Sequence, residues 1–211
     1  MKNTPASTTD PDMYFTIESA QQAELKVKAS QFIAKAIPIT TKEHAFEELD
    51  RIRAAYYDAN HHCFAYRLGA QGLEFRTADD GEPNGTAGKP ILFALQKYGV
   101  SDTLLIVTRY FGGTKLGTGG LARAYNDSAD TVLSMCTRKP VYRTTSLRVY
   151  CTYEDVKSIL KLIDKFAISH EDEYHDAIEF RVRIPSAKTD VFIAEVTALT
   201  AGRAGCVLNL D

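Results

Sequence analysis

The most constraining feature of the chain is a short run, Thr103 to Val107, in which apolar and β-branched residues follow one another without alternation. Such a run is the mark of a strand covered on both faces, so it predicts a central strand in a layered α and β structure. The strand delivers the chain into Gly112-Gly113-Thr114-Lys115-Leu116-Gly117-Thr118-Gly119-Gly120. Beyond this segment Leu121, Ala124, Tyr125, Ser128 and Val132 recur at helical spacing and predict a long amphipathic helix. The strand, the glycine-rich segment and the helix form the unit on which the functional reading rests.

Upstream, Tyr14 to Ser19, Glu24 to Lys28 and Phe32 to Ile39 read as strands. Thr40 with Glu43 reads as a capping box for a helix over about Thr41 to Asp58. His62 to Leu68 and Leu73 to Thr77, joined by Gly69-Ala70-Gln71-Gly72, read as a hairpin. Asp79 to Pro90 holds three glycines and two prolines and reads as a loop, followed by a short helix over Ile91 to Tyr98. Pro140 marks a boundary, because proline ends one helical segment and opens an extended one. After it come a strand at Thr144 to Cys151, a helix capped by Thr152, strands near Ile168 to Glu173 and Ala177 to Ile184, a helix over Ala187 to Ala201, and a strand at Cys206 to Leu210. The order β-α-β-β-α-β predicts a ferredoxin-like plait. The expectation is an α+β chain with a tail at 1–12, a first domain at 13–138 and a second at 141–211.

Composition narrows function mainly by exclusion. Across 211 residues, 25 Lys and Arg stand against 27 Asp and Glu, a net charge of -2, so any site for an anion must be local. Cys63, Cys136, Cys151 and Cys206 form no C-x-x-C pair, which reads as a reduced thiol set with no metal site and no cofactor, in a cytoplasmic protein. No apolar run approaches the roughly 18 residues a membrane helix needs.

Local positive charge is what the glycine-rich unit offers. From Arg109 to Tyr125 there are three cations, Arg109, Lys115 and Arg123, and the first acid is Asp127. Glycines let backbone amides approach a ligand, and the start of the following helix adds unpaired donors, so a phosphate would be stabilised there. The candidate anion or nucleic-acid site comprises Lys89, Arg109, Tyr110, Gly112, Gly113, Lys115, Gly117, Gly119, Gly120 and Arg123. The competing reading is a tight turn beside solvated cations. Nucleotide motifs fail: Gly117-x-Gly119-x-x-Ala122 follows too long a loop for a dinucleotide site, and Gly112-x-x-x-x-Gly117-Thr118 lacks the P-loop lysine.

Two further groups could carry chemistry. Asp79, Asp80 and Glu82 could bind a cation or act as acid and base, yet such acids more often start turns, and they could instead pair with Lys89, Arg109 or Lys115 to organise the loop. His61, His62 and Cys63 lie on one strand, where neighbours point to opposite faces and cannot share one metal. Their plainer reading is a buried thiol and a hydrogen-bonded imidazole. The enzymatic alternative requires His62, Asp80, Glu82 or Cys63 to converge with the basic loop in one concavity.

These segments, in this order, resemble the IMPACT family and its bacterial two-domain members. The resemblance rests on Lys28-x-Ser30-x-Phe32-Ile33, His61-His62-Cys63, Asp79-Asp80-Gly81-Glu82-Pro83-x-Gly85-Thr86-Ala87-Gly88-Lys89-Pro90 and Arg109-Tyr110-Phe111-Gly112-Gly113-x-Lys115-Leu116-Gly117. It implies a first domain of βαβ type similar to the fourth domain of elongation factor G, and a second similar to its fifth. Both of those domains contact ribosomal RNA, so the resemblance implies an RNA- or ribosome-associated binding protein and a place in translation regulation. Eukaryotic members restrain a stress-responsive kinase by competing for its activator and carry an additional N-terminal domain with no counterpart in these segments, so the kinase role is not transferred. A protein partner recognised by Tyr110 and Phe111 is the third class of function, and sequence leaves the oligomeric state open.

Overall fold

The computed structural model describes residues 12–174 and 178–209. Of the tail expected at 1–12, only Asp12 is described; Ala177 and Leu210, which bound two expected strands, also lie outside the described residues. The chain divides into two compact units, one over Tyr14–Val141 and one from Tyr142 onward that includes Asp12 and Met13.

The first unit is built on a five-stranded sheet. In chain order its elements are β1 (Met13–Ile17), β2 (Gln21–Val27), β3 (Ser30–Pro38), α1 (Lys42–Ala55), β4 (His61–Leu68), β5 (Glu74–Ala78), α2 (Gly88–Tyr98), β6 (Thr103–Tyr110), α3 (Gly117–Met135) and β7 (Arg138–Tyr142). The sheet order is β2-β3-β6-β4-β5, with β1 and β7 paired separately. Each neighbouring pair in the large sheet is antiparallel.

Residue alternation explains why Leu104 to Val107 of β6 are apolar without interruption. Leu105 and Val107 join Phe32, Ala34, Cys63 and Ala65 beneath α2 and α3, whereas Leu104 and Ile106 join Phe64, Tyr66 and Leu68 beneath α1. Helices therefore cover both faces, and the central strand must be hydrophobic on each. α3 buries Leu121, Ala124, Tyr125, Ser128, Ala129, Val132 and Leu133, the stripe that the 3.6-residue repeat predicts.

The two crossovers each skip one strand, from β3 through α1 to β4 and from β5 through α2 to β6. They run in opposite directions across the sheet from oppositely directed strands, so equal handedness would place both helices on one face. They lie on opposite faces, and the crossovers therefore have opposite hands, a departure from the usual right-handed rule.

The second unit comprises β8 (Thr144–Cys151), α4 (Val156–Phe166), β9 (Ser169–Tyr174), β10 (Ile178–Pro185), a 3-10 turn at Ser186–Lys188, α5 (Thr189–Leu199) and β11 (Gly205–Leu208). Its sheet order is β11-β8-β10-β9 and its pairings are antiparallel. Leu147, Val149, Phe180 and Val182 point into a core closed by Ile159, Leu162 and Ile163 of α4 and Phe192 and Val196 of α5. The alternate residues of β8 and β10, among them Arg148, Arg181 and Arg183, lie on the opposite face.

Helix starts shift from the expected caps. The α1 cap is Thr41, which accepts from the His44 amide at 3.1 Å, one residue beyond Thr40. α4 begins after Asp155, and Thr152 instead donates its hydroxyl to the Asp155 carboxylate at 3.3 Å. α2 starts three residues earlier than expected, at Gly88, because Pro90 is tolerated in a first turn whose amides need no helical partner. Pro140 falls inside β7.

Candidate functional site

The antiparallel register gathers the unusual segments at one end of the large sheet. Val27 pairs with Ser30, Gln31 with Tyr110, His61 with Arg109 and Phe64 with Ala78. The β2–β3 turn, the start of β4, the loop after β5, the segment after β6 and the first turns of α2 and α3 therefore share that end.

The loop from Asp79 to Ala87 is organised by its own acids. The Asp79 carboxylate accepts from the amides of Gly85 (2.8 Å), Ala87 (3.0 Å) and Gly88 (2.8 Å), so it closes the loop and occupies the N-terminus of α2. Burial by itself would raise the Asp79 pKa, but these amides, with Lys89 nearby, together hold it below the usual carboxylate range. Asp80 accepts from the His62 amide at 2.6 Å and meets Arg53 at 3.3 Å. It has a positive φ of 44°, and Gly81 and Gly85 follow at 88° and 74°.

Beneath the loop lies a buried polar chain. Glu82 Oε1 accepts from Arg109 Nη1 at 2.5 Å and from the Tyr125 hydroxyl at 2.8 Å. The Glu82 and Arg109 side chains are 4% and 5% exposed. Arg109 Nη2 donates to Ser30 Oγ at 3.2 Å, and its guanidinium lies over the rings of Phe32 and Phe111. Ser30 Oγ also accepts from the Gly112 amide at 3.3 Å. Cys63 Sγ lies 3.0 Å from the Asp79 carbonyl oxygen and 3.3 Å from the Tyr125 hydroxyl. Burial pushes both the Cys63 thiol and the Tyr125 phenol well above their ordinary pKa, so each stays protonated at neutral pH.

This geometry corrects the expectation for Arg109. The sequence interval from Arg109 to Asp127 lacks acids, but the fold brings Glu82 from the preceding loop into contact, and the guanidinium is neutralised and removed from water. Arg109 is a scaffold residue, and the pairing of loop acids with basic residues is realised as Glu82 with Arg109 and Asp80 with Arg53. Gly112 is likewise required for packing: a Cβ there would lie 1.9 Å from the Ala29 carbonyl oxygen. Tyr110 is half-buried and donates its hydroxyl to Asp58 at 2.7 Å; that bond, with desolvation, pushes its pKa up to about 12.

Solvent meets a different subset. Lys89, Gly113, Lys115, Gly117, Gly119 and Arg123 are exposed, Gly120 is half-buried, and Phe111 is 45% exposed. Lys28, at the β2–β3 turn, joins them with a positive φ of 52°. None of Lys28, Lys89, Lys115 and Arg123 makes a salt bridge among the described residues. The first turn of α3 has no side-chain cap, whereas that of α2 holds the Asp79 carboxylate.

The residues weighed for catalysis are brought close together and then consumed by internal bonds. His62 is buried against Thr108 at 3.1 Å, and desolvation lowers its pKa despite the attraction of Asp80. His61 Nδ1 lies 2.8 Å from the Asp80 carbonyl, with Nε2 3.8 Å from Glu82. Among the described residues no cluster of three or more His, Cys, Asp or Glu could hold a metal, and no helix is long and apolar enough to cross a membrane. Ser30 and Tyr125 escaped the sequence reading as site residues. Their signal was only that a serine and a tyrosine sit at positions otherwise suited to a turn and a core, which nothing local distinguishes.

Comparison with known proteins places this architecture. The family model described as the Impact N-terminal domain matches residues 28–133. The Bacillus subtilis (strain 168) protein "IMPACT family member YvyE" is 34% identical over 194 residues, covering 90% of this chain and 88% of that protein. The Escherichia coli (strain K12) "IMPACT family member YigZ" is 36% identical over 183 residues, covering 84% and 88%. A solved crystal structure of a hypothetical protein superposes with a TM-score of 0.69 at 30% identity, over 95% of this chain and 98% of that one. A family model that spans the whole central strand and both loop motifs, together with relatives aligned through both units, leads to one conclusion: the chain belongs to the IMPACT family.

Proposed function

We propose that the first unit is a non-catalytic RNA-binding module with a ribosome-associated role in the cytoplasm, and that Lys115, Arg123 and Lys89 contact phosphates beside the exposed amides at the start of α3. The observation that carries this reading is the contrast between two helix starts at one end of the sheet. The chain's own carboxylate, Asp79, fills the first, while the second is exposed, has no side-chain cap and is flanked by cations that make no salt bridge among the described residues. Phe111 lies beside them with nearly half its surface open, suited to stacking on a base. Glu82 and Arg109 serve the site indirectly, by pinning the loop against β6.

The likeness to elongation factor G supports the same reading by analogy: the first unit as its fourth domain, the second, with β-α-β-β-α-β order, as a ferredoxin-like plait similar to its fifth. The test is RNA binding and ribosome co-sedimentation as a function of salt. With three phosphate contacts to a single strand, log affinity should fall against log salt with a slope of about -2. The double variant K115A/R123A should lose about 1.4 of that slope. Wild-type affinity and slope in the double variant would remove the proposal, and retained capture of a protein with no RNA bound would favour a protein-interaction module.

A further inference from the structure

The second unit carries a cavity that the first unit's site does not involve. It has a volume of about 210 Å³ and lies against β8, β9 and β10, with Ser146, Ser169, Arg181, Arg183, Asn209 and Glu171 in its wall. Register explains its chemistry. Arg183 pairs with Ser146 on one side and Ser169 on the other, so the three residues form one row on one face of the sheet. The next row sets Arg148 directly opposite Arg181, a like-charge cross-strand pair that by itself disfavours the sheet.

The acids are unevenly spread. Glu179 accepts from Arg181 Nε at 3.2 Å, and Glu171 lies opposite Arg181. Arg183 donates to a neutral oxygen, Thr144 Oγ1, at 3.0 Å, and Arg148 donates to another, Asn209 Oδ1, at 2.7 Å. Among the described residues neither Arg148 nor Arg183 makes a salt bridge. Because Arg148 engages Oδ1, the Asn209 amide keeps its Nδ2 hydrogens for another acceptor. The row through Arg183 is thus rich in donors and free of acids, while the row beside it ends on the Glu171 carboxylate, which accepts only.

We propose that this cavity binds a small phosphate monoester bearing hydroxyl groups. The phosphate would sit at Arg183 with Ser146, Ser169 and Asn209, where a guanidinium fork and hydroxyls match its oxygens. The hydroxylated part would donate to Glu171. A cavity of this size favours such an ester over a bare ion, and the carboxylate in the wall disfavours a second anionic group.

The probe is ribose 5-phosphate, titrated into the full-length chain and followed by backbone amide shifts and calorimetry, with inorganic phosphate and ribose as separate arms. Saturable shifts should appear at Ser146, Ser169 and Arg183, with inorganic phosphate several-fold weaker at the same amides and ribose without effect. R183Q should weaken ribose 5-phosphate at least ten-fold; Arg183 is exposed on β10, and a dispersed amide spectrum checks that the variant folds. S146V should weaken it through a second position, whereas K115A should leave it unchanged, which separates this site from the first unit's. Absence of shifts at these amides, wild-type affinity in R183Q, inorganic phosphate binding as tightly as the ester, or a preference for single-stranded RNA at the same amides would each overturn the assignment.

Discussion

Replacing Glu82 by Leu tests the scaffold on which the first unit's site depends. The carboxylate accepts two bonds, from Arg109 at 2.5 Å and Tyr125 at 2.8 Å, and both ionic side chains are about 95% buried. Removing it leaves a guanidinium in the interior with Ser30 and two aromatic rings as its remaining partners. Breaking a buried pair in this way costs about 3–5 kcal/mol, because the surviving charge is neither hydrated nor paired. R109M should cost a similar amount by stranding the carboxylate. The double variant E82L/R109M removes both charges, and its remaining cost is the unmade bond of the Tyr125 hydroxyl, about 1–3 kcal/mol. The double variant should therefore be more stable than either single one, a non-additivity that contact between the pair demands. Native-state hydrogen exchange of the β6 amides is the appropriate assay, since it reports on the first unit alone in a chain of two compact units. Single variants costing under about 1 kcal/mol, or a double variant whose cost equals their sum, would refute the argument.

The remaining predictions concern backbone space and pH. G112A should destabilise the first unit by about 1–3 kcal/mol or more, since its methyl would displace the Ala29 backbone, and thermal unfolding would measure it. G119A meets nothing within 4 Å and should stabilise α3 by up to about 1 kcal/mol while lowering RNA affinity through a methyl placed among the amides; unchanged affinity would show that those amides do not contact RNA. Both His62 and Asp79 have folded pKa values below their unfolded ones, so each stabilises fully above its unfolded pKa and loses its contribution as pH falls. Stability should decline with acid first below about pH 6.5 through His62 and again below about pH 4 through Asp79. In D79N the second decline should shrink, a difference that denaturant titrations at pH 3 and pH 5 would register.

Legibility varied with how local the governing interaction was. The β6 run, the α3 stripe and the β-α-β-β-α-β order of the second unit were all readable, because hydrophobic periodicity reports which faces of a strand or helix are covered. Cap positions slipped by one to three residues at Thr41, Asp155 and Gly88, where neighbouring hydroxyls, carboxylates and a first-turn proline offer near-equivalent solutions. The role of Arg109 is not legible locally, for a deeper reason: the charge that decides it, Glu82, is 27 residues away along the chain.

By itself, then, the sequence determined the elements and the family, since these follow from local periodicity and from motifs long enough to be specific. Tertiary structure alone decided which charges face water. Antiparallel pairing carried Arg109 beside the Glu82 loop, and that contact turned the central cation of the motif into buried support while leaving Lys28, Lys89, Lys115 and Arg123 at the surface. Electrostatic roles depend on distance in space, and strand register rather than order along the chain sets that distance.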